Sequence, residues 1–454
     1  MHPELPDLPP GSHILVGLSG GVDSVVLLHW LCQLAPAQAW SLSALHVHHG
    51  LSPNANAWAK FCAQLCLAWG VPLRIERVEV APLRAEWGVE AAARQLRRAA
   101  LLRQPCDVIA LAHHADDQAE TVLLQLLRGA GVRGTSGMSV RGGVDYSAST
   151  PTLTLPLQGR GDKLLGKAKV ESKFEPPILR PLLTTPRAAI LNYAQTHALQ
   201  WIEDESNADP HYARNFLRQQ VMPLLADKFP GYRQTLTRSA QHFAEAASLL
   251  DELAALDGGA CGATLPLARL QGLSAARGKN LLRYFLDRCG APMPPSARLA
   301  DLHHQLLTAR EDAQVCVEYG GWQVRRYRGE VYALPQLPEV DGHFSLTWQG
   351  ESELPWPPLN ARIHFKTVDA NLFAHLTGEN VLINSHLQIP LPTDAPLTLR
   401  LRQGGETLRL HPHDPHHHSL KKWLQAQHIP PWLRARLPLL YHGDTLLTVL
   451  GAQS

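Results

Sequence analysis

Ser19-Gly20-Gly21-Val22-Asp23-Ser24 joins an apolar run, HILVGL, to a second one, VVLLHWLCQLA. Two adjacent glycines let a backbone come close to a ligand, and two serines add hydroxyl donors. A turn that ends where a helix begins exposes free N–H groups, which favour an anion such as a phosphate. Asp23 does not favour an anion by itself; its natural task is to hold a Mg²⁺ that neutralises phosphates, or to act as a catalytic carboxylate. The competing reading of the six residues is a serine-capped strand-to-helix turn. A second group lies in AHHADDQAETVLLQLLRG, residues 112–129, where Asp116 and Asp117 open a helix. Asp117 and Glu120, three apart, fall on one helical face. Such a pair binds a cationic substrate or a metal, accepts a proton, or simply caps the helix dipole. Glu90 and Arg94, four apart on the preceding helical stretch, read equally as an exposed ion pair of little worth. His46 and His113 end strands and are weaker candidates, since such histidines are commonly satisfied structural groups.

The elements that must position these residues alternate. Residues 13–19, 42–49, 73–80 and 108–114 read as strands, with helical stretches between them. A β-α series of this kind predicts an α/β domain with a doubly wound parallel sheet covered on both faces. Ligands of such sheets bind at the carboxyl ends of the strands. Those ends carry the 19–24 turn, the histidines of 46–49 and the 113–117 segment, so all three should meet on one edge. Familiar phosphate patterns are excluded by inspection: there is no GxxxxGK(S/T), and no GxGxxG follows the first strand.

This first domain is expected over 1–215, with 134–177, rich in Gly, Ser and Lys, as a mobile surface loop. Residues 216–334 read as a mainly helical domain closed by a hairpin at 316–334. The prolines of 335–395 suggest a linker, and 396–454 a small α+β domain. Charge and composition narrow the setting. Net charge is +2, with 45% apolar and 18% charged residues, and no apolar run approaches a membrane span. Seven cysteines without any CxxC fit reduced thiols in the cytosol. The first residues lack the features of a signal peptide. A homodimer is compatible with the sequence, as is a monomer.

SGGVDS is similar to the signature of the PP-loop ATPases, which split ATP between its α- and β-phosphates. With HVHHGLS, EAAAR, HHADDQAETVLL, RGAG, RPLL, WIEDESN and ARNFLR following in order, and with the tail LRLRQGGETLRL…LKKWLQAQHIPPWLRARLPLLYHGDTLL, the chain closely resembles the tRNA(Ile)-lysidine synthetase family. Only 134–177 and 335–395 match poorly. The resemblance implies a ligase that joins L-lysine to carbon 2 of the wobble cytidine in the CAU anticodon of an isoleucine tRNA, through an adenylated cytidine, so that AUA is read in place of AUG. It implies ATP on Ser19, Gly20, Gly21, Val22, Asp23 and Ser24, with His46 beside them and Mg²⁺ on Asp23. It implies lysine held by Arg94, Asp117 and Glu120, with Arg94 suited to its carboxylate and the two acids to an ammonium group. Which acid takes the proton of the amine, whose unperturbed pKa is about 10.4, stays open. Asp204, Asn207, Arg214 and Asn215 match family positions without an assigned role. A thiolating relative is a rival reading, disfavoured by the missing cysteine pair; a nucleotide-sensing protein without chemistry is another, disfavoured by the acids on the ligand edge.

The tail carries four more basic than acidic side chains in 59 residues, twice the excess of the whole chain. Arg402, Lys421, Lys422 and Arg434, with Arg214 and Asn215, are candidates for tRNA contacts, which supply affinity without sequence choice. Trp423 and Trp432 could stack on bases but fit a core better. The run HPHDPHHH, 411–418, holds five histidines, yet two prolines and crowded spacing suit a polar loop near RNA better than a metal site.

Overall fold

The computed structural model describes residues 3, 8–82, 88–142, 176–205, 211, 213–259, 262–310, 313–368, 371–378, 387–390, 396–409 and 417–451. These fall into two compact units that divide between Glu252 and Leu253. No described helix is long and apolar enough to cross a membrane.

The first unit is built on β1 (His13–Gly17), β2 (Ser41–His48), β3 (Leu73–Arg77), β4 (Val108–Ala110), β5 (Arg141–Gly142) and β6 (Ile178–Leu179). They form one sheet in the order β3-β2-β1-β4-β6-β5, parallel throughout except where β5 runs against β6. Helices α1 (Val22–Gln38), α2 (Ala55–Ala68), α3 (Val89–Leu102), α4 (Ala115–Leu127) and α5 (Arg187–Thr196) fill the connections or follow them. The period of two along β1 explains the two layers. Ile14 and Val16 enter a core with α1, α2 and α5, through Leu27, Cys62 and Ile190. Leu15, between them, faces the opposite core with Leu45, Ala100, Leu101 and Ile109. Both sheet faces are therefore covered, as the apolar strands required.

β4 is shorter than expected because its ladder register ends at Ala110; Leu111 N–H still donates to Leu179 O at 2.9 Å, and residues 112–114 lead on to α4. After α5 the chain passes through Ala213–Phe216, a π-helical turn at Leu217–Val221 and the helix Met222–Lys228, then enters the long helix α6 (Tyr232–Gly258). Met222 and Tyr232 pack against Ala119 of α4. Of the expected mobile loop, 143–175 lie outside the described residues, while 134–142 are ordered. There Gln118 clamps the backbone: its amide nitrogen donates to Met138 O at 2.8 Å, and its oxygen accepts from Met138 N–H at 2.8 Å.

In the second unit the helices Ala275–Arg288 and Ser296–Thr308 pack on an antiparallel sheet. The expected hairpin is a three-stranded meander, Cys316–Tyr319, Trp322–Tyr327 and Glu330–Pro335, joined by Leu265–Pro266. The expected linker at 335–395 is a correction. Its described residues contribute strands Ser345–Trp348, Glu353–Trp356, Ala361–Val368, Asn371–Gly378 and Leu387–Pro390. The alternation of Ala361, Ile363 and Phe365 buries one face, and Trp356, Leu359 and Leu372 share a core with Leu399, Leu424 and Leu439 of the tail. Prolines sit at the ends and edges of these strands, where a missing N–H is tolerated.

Candidate active site

The 19–24 turn lies between β1 and the first turn of α1, at the carboxyl edge of the sheet. Gly20 has φ +91°, and a Cβ there would stand 2.7 Å from Ile202 Cδ1 and 3.2 Å from Cys62 Sγ. Only glycine suits both conditions. The Ser24 hydroxyl shapes the turn from beneath: it accepts from the N–H groups of Ser19 and Gly20, both at 3.2 Å, and donates to Gly21 O at 2.9 Å. Ser19 Oγ lies 3.1 Å from Ser24 Oγ and accepts from Gly21 N–H at 3.3 Å. The segment after α5 backs onto the same turn, Ile202 N–H donating to Gly20 O at 2.9 Å.

The Val22 side chain lies in the core and leaves only its backbone to face a ligand. His46 is buried below the turn, with Nδ1 at 2.9 Å from Leu18 O and 3.5 Å from Cys62 Sγ. Burial holds its pKa below the usual histidine value, so the ring is a neutral support for the loop backbone.

The acids gather at the start of α4. His114 is its N-cap: the ring Nδ1 accepts from Asp117 N–H at 3.3 Å, and Asp117 Oδ2 accepts from His114 N–H at 3.1 Å. An Nδ1 that accepts must leave the ring proton on Nε2. That Nε2 faces two carboxylates, Asp117 Oδ2 at 3.4 Å and Asp23 Oδ2 at 3.8 Å. His114 thus joins the loop to the α4 acids. Asp23 Oδ1 is buried with no hydrogen-bond partner. Burial raises the Asp23 pKa above the usual carboxylate value, against an opposing pull from His114. Burial also works to raise that of Asp117, but His114, His113, Arg214 and Arg218 outweigh it and bring the value below the ordinary one.

Glu120 and Asp117 are held by arginines from the 213–221 segment. Arg218 Nε donates to Glu120 Oε1 at 2.7 Å and Nη2 to Glu120 Oε2 at 2.9 Å and Asp117 Oδ1 at 3.0 Å. Arg214 Nε lies 3.4 Å from Glu120 Oε2, and its Nη2 donates to Thr121 Oγ1 at 2.7 Å. Asp116 turns elsewhere, accepting from Arg187 N–H at 2.9 Å and pairing with Arg233 of α6.

The fold therefore assembles Ser19, Gly20, Gly21, Asp23, Ser24, Asp117 and Glu120, joined by His114, Arg214 and Arg218. Arg94 is half-buried on α3; the cations described on the two acids are Arg214 and Arg218. Asn215, Asp204 and His113 are half-buried, and Asn207 lies outside the described residues. Sequence reasoning missed His114 and Arg218. The signal for Arg218 was its spacing of four from Arg214, which sets both on one helical face.

In the second unit Lys421 and Lys422 are exposed, and Arg402 Nε lies 3.4 Å from Glu406 Oε2. Arg434, expected on the surface as a phosphate contact, is corrected: it is buried, with Nε donating to Ile429 O at 2.7 Å and Nη2 to Tyr327 hydroxyl at 2.7 Å. Trp432 stands edge-on to Tyr327 and Tyr332 with the Arg325 guanidinium over its ring, and Trp423 packs against the core. Residues 411–416 of the histidine-rich run lie outside the described residues.

Comparison with known proteins covers both ends of the chain. A PP-loop domain model matches residues 4–225, a TilS substrate binding domain model 265–332 and a TilS substrate C-terminal domain model 397–453. A tRNA(Ile)-lysidine synthase of Nitrosomonas europaea is 39% identical over 97% of this chain and 88% of its own. One of Azoarcus sp. is 41% identical over 95% and 85%, and one of Ralstonia nicotianae 40% identical over 96% and 88%.

Proposed function

The chain belongs to the tRNA(Ile)-lysidine synthase family, and from that premise we propose that the 19–24 turn binds ATP while the α4 acids hold L-lysine for transfer to a cytidine of the CAU anticodon. The enzyme forms lysidine on tRNA(Ile) at the expense of ATP. The cytidine O2 attacks the α-phosphorus and pyrophosphate leaves; the ε-amine of lysine then attacks carbon 2 and AMP departs with that oxygen. The serine hydroxyls of the turn and the amides at the start of α1 take the pyrophosphate, whose departure they favour by stabilising its charge. Asp117 and Glu120 attract the cationic end of an amino acid.

The observation that carries this reading is the bridge through His114. It sets the nucleotide turn and the amine-binding acids within one side chain of each other, the spacing that a two-step transfer between them requires. Asp23 Oδ1, buried and without a partner, is the oxygen fitted to Mg²⁺. The ion, when bound, neutralises phosphate charge. Lys421 and Lys422 are exposed cations of the tail that suit tRNA phosphates.

The test is direct. Purified protein, ATP, Mg²⁺ and labelled lysine should label an unmodified isoleucine tRNA with a CAU anticodon, releasing AMP and pyrophosphate. Equal labelling of initiator methionine tRNA, or none at all, would defeat the proposal. Glu120→Gln should raise the KM for lysine with the KM for ATP little changed; the reverse pattern would move the lysine site elsewhere.

A further inference from the structure

The nucleotide turn has no cation of its own. The first lysine or arginine of the chain is Lys60, so β1, the 19–24 turn, α1 and β2 carry none. A polyphosphate brings several negative charges, and the GxxxxGK(S/T) pattern that this chain lacks meets them with its own lysine. Here the turn adds a carboxylate, Asp23, instead. Beyond an ion held there, positive charge has to arrive from another element of the fold.

The start of α5 can supply it. Arg187 is the first residue of that helix, and two bonds pin its segment to the start of α4: Ala115 N–H donates to Thr185 O at 3.0 Å, and Arg187 N–H to Asp116 Oδ2 at 2.9 Å. Asp116 Oδ2 lies 3.9 Å from His114 Nδ1, and His114 Nε2 lies 3.8 Å from Asp23 Oδ2. The backbone of Arg187 is therefore fixed one carboxylate and one imidazole away from the first turn of α1. Burial raises the Asp23 pKa, and after His114 the charges that draw it down are those of Arg187 and Arg218. Both guanidinium groups thus act on the turn, but Arg218 is committed to Glu120 and Asp117. Arg187 is exposed, and among the described residues its guanidinium makes no hydrogen bond or ion pair.

We infer that Arg187 binds the β- and γ-phosphates of ATP and receives the pyrophosphate as it leaves. This rests on the reading of the 19–24 turn as the ATP site. When the bond from the α-phosphorus to its bridging oxygen breaks, the electron pair passes to the pyrophosphate. The planar guanidinium meets that charge with parallel N–H donors. No bond to Arg187 forms or breaks, and it neither gains nor loses a proton.

The full-length enzyme with Mg²⁺ would be titrated by calorimetry with ATP, with inorganic pyrophosphate and with AMP, which lacks the two outer phosphates. In Arg187→Ala the affinities for ATP and pyrophosphate should fall by roughly 10- to 100-fold, the range for losing a charged hydrogen-bond donor. The affinity for AMP should change by less than about threefold. Both bonds that pin the segment use main-chain atoms of residues 185 and 187, so the substitution leaves them in place. Arg187→Lys keeps the charge, should show a smaller loss in the same pattern, and carries the test if the alanine variant does not fold. A loss shared equally by AMP would reduce Arg187 to a support of the helix start and overturn the inference. Unchanged affinity for pyrophosphate would overturn it too, as would a defect confined to the KM for lysine. A wild type that binds none of the three would instead remove the nucleotide site from which the inference starts.

Discussion

His114 Nε2 lies 3.8 Å from Asp23 Oδ2 and 3.4 Å from Asp117 Oδ2, while Nδ1 of the same ring caps α4. One imidazole therefore orients a carboxylate from the first turn of α1 and another from the first turn of α4. Its tautomer is set by the cap, since an accepting Nδ1 leaves the proton on Nε2.

Replacing His114 by Ala removes both functions, and by Asn only one. Loss of the cap should cost about 1 kcal/mol, measurable in chemical denaturation. His114→Asn should recover most of that stability, because Asn is a good N-cap, without recovering turnover of the lysine-transfer step. Full activity in the Asn variant would show that the ring acts only as a cap.

Gly20→Ala should disable the nucleotide turn. The residue must hold φ +91°, which strains any L side chain, and its Cβ would press on Ile202 and Cys62. We expect a loss of roughly 1–3 kcal/mol in folding stability. The KM for ATP should rise at least about tenfold, one decade for each 1.4 kcal/mol of lost binding. An unchanged KM for ATP would place the nucleotide elsewhere.

Arg434 and the pair Lys421 and Lys422 should behave in opposite ways. Arg434→Ala leaves Ile429 O and Tyr327 hydroxyl short of a donor inside the second unit, and should destabilise it by about 2–4 kcal/mol. Its effect on the salt dependence of tRNA binding should be small. Lys421→Ala with Lys422→Ala should leave thermal stability nearly unchanged and lower the slope of log affinity against log salt by up to about two. An unchanged slope in the double variant would remove these lysines from the tRNA contact.

Burial, with Arg97 adding to it, lowers the His49 pKa to about 4. The unfolded chain then binds a proton near the ordinary histidine pKa of about 6.5 that the folded chain refuses. Stability from this group is fully present above that value. It declines as pH falls toward about 4, by roughly 1–3 kcal/mol in all. His49→Asn should flatten the dependence of unfolding free energy on pH in that window; an unaltered slope would mean that the ring is neutral in neither state or in both.

Much of the first unit could be read directly. The apolar strands, the intervening helices and the turn at 19–24 carry local signals: continuous β-branched runs, helical spacing, and glycines where the backbone must bend. Their convergence on one edge followed from the parallel order. The π-helical turn carries no such pattern, and nothing in ARNFLR shows that Arg218 reaches back across about a hundred residues to Asp117 and Glu120. His114 was hidden beside His113, since adjacent side chains on an extended segment point to opposite sides and only the packing tells which one is inward.

The C-terminal half was less legible. Prolines in 335–395 signalled a break, but edge strands tolerate proline, and the alternation of Ala361, Ile363 and Phe365 was the truer sign of a sheet. Arg434 looked like its basic neighbours because charge is a property of composition, whereas its burial is set by Tyr327 and Ile429. What the amino-acid order alone determined was the chemistry available: an anion-binding turn, acids at a helix start, a basic tail. What only tertiary structure decided was which charges face each other. Pairing depends on distances of a few ångströms between residues far apart in the chain, and short-range sequence patterns are blind to those distances.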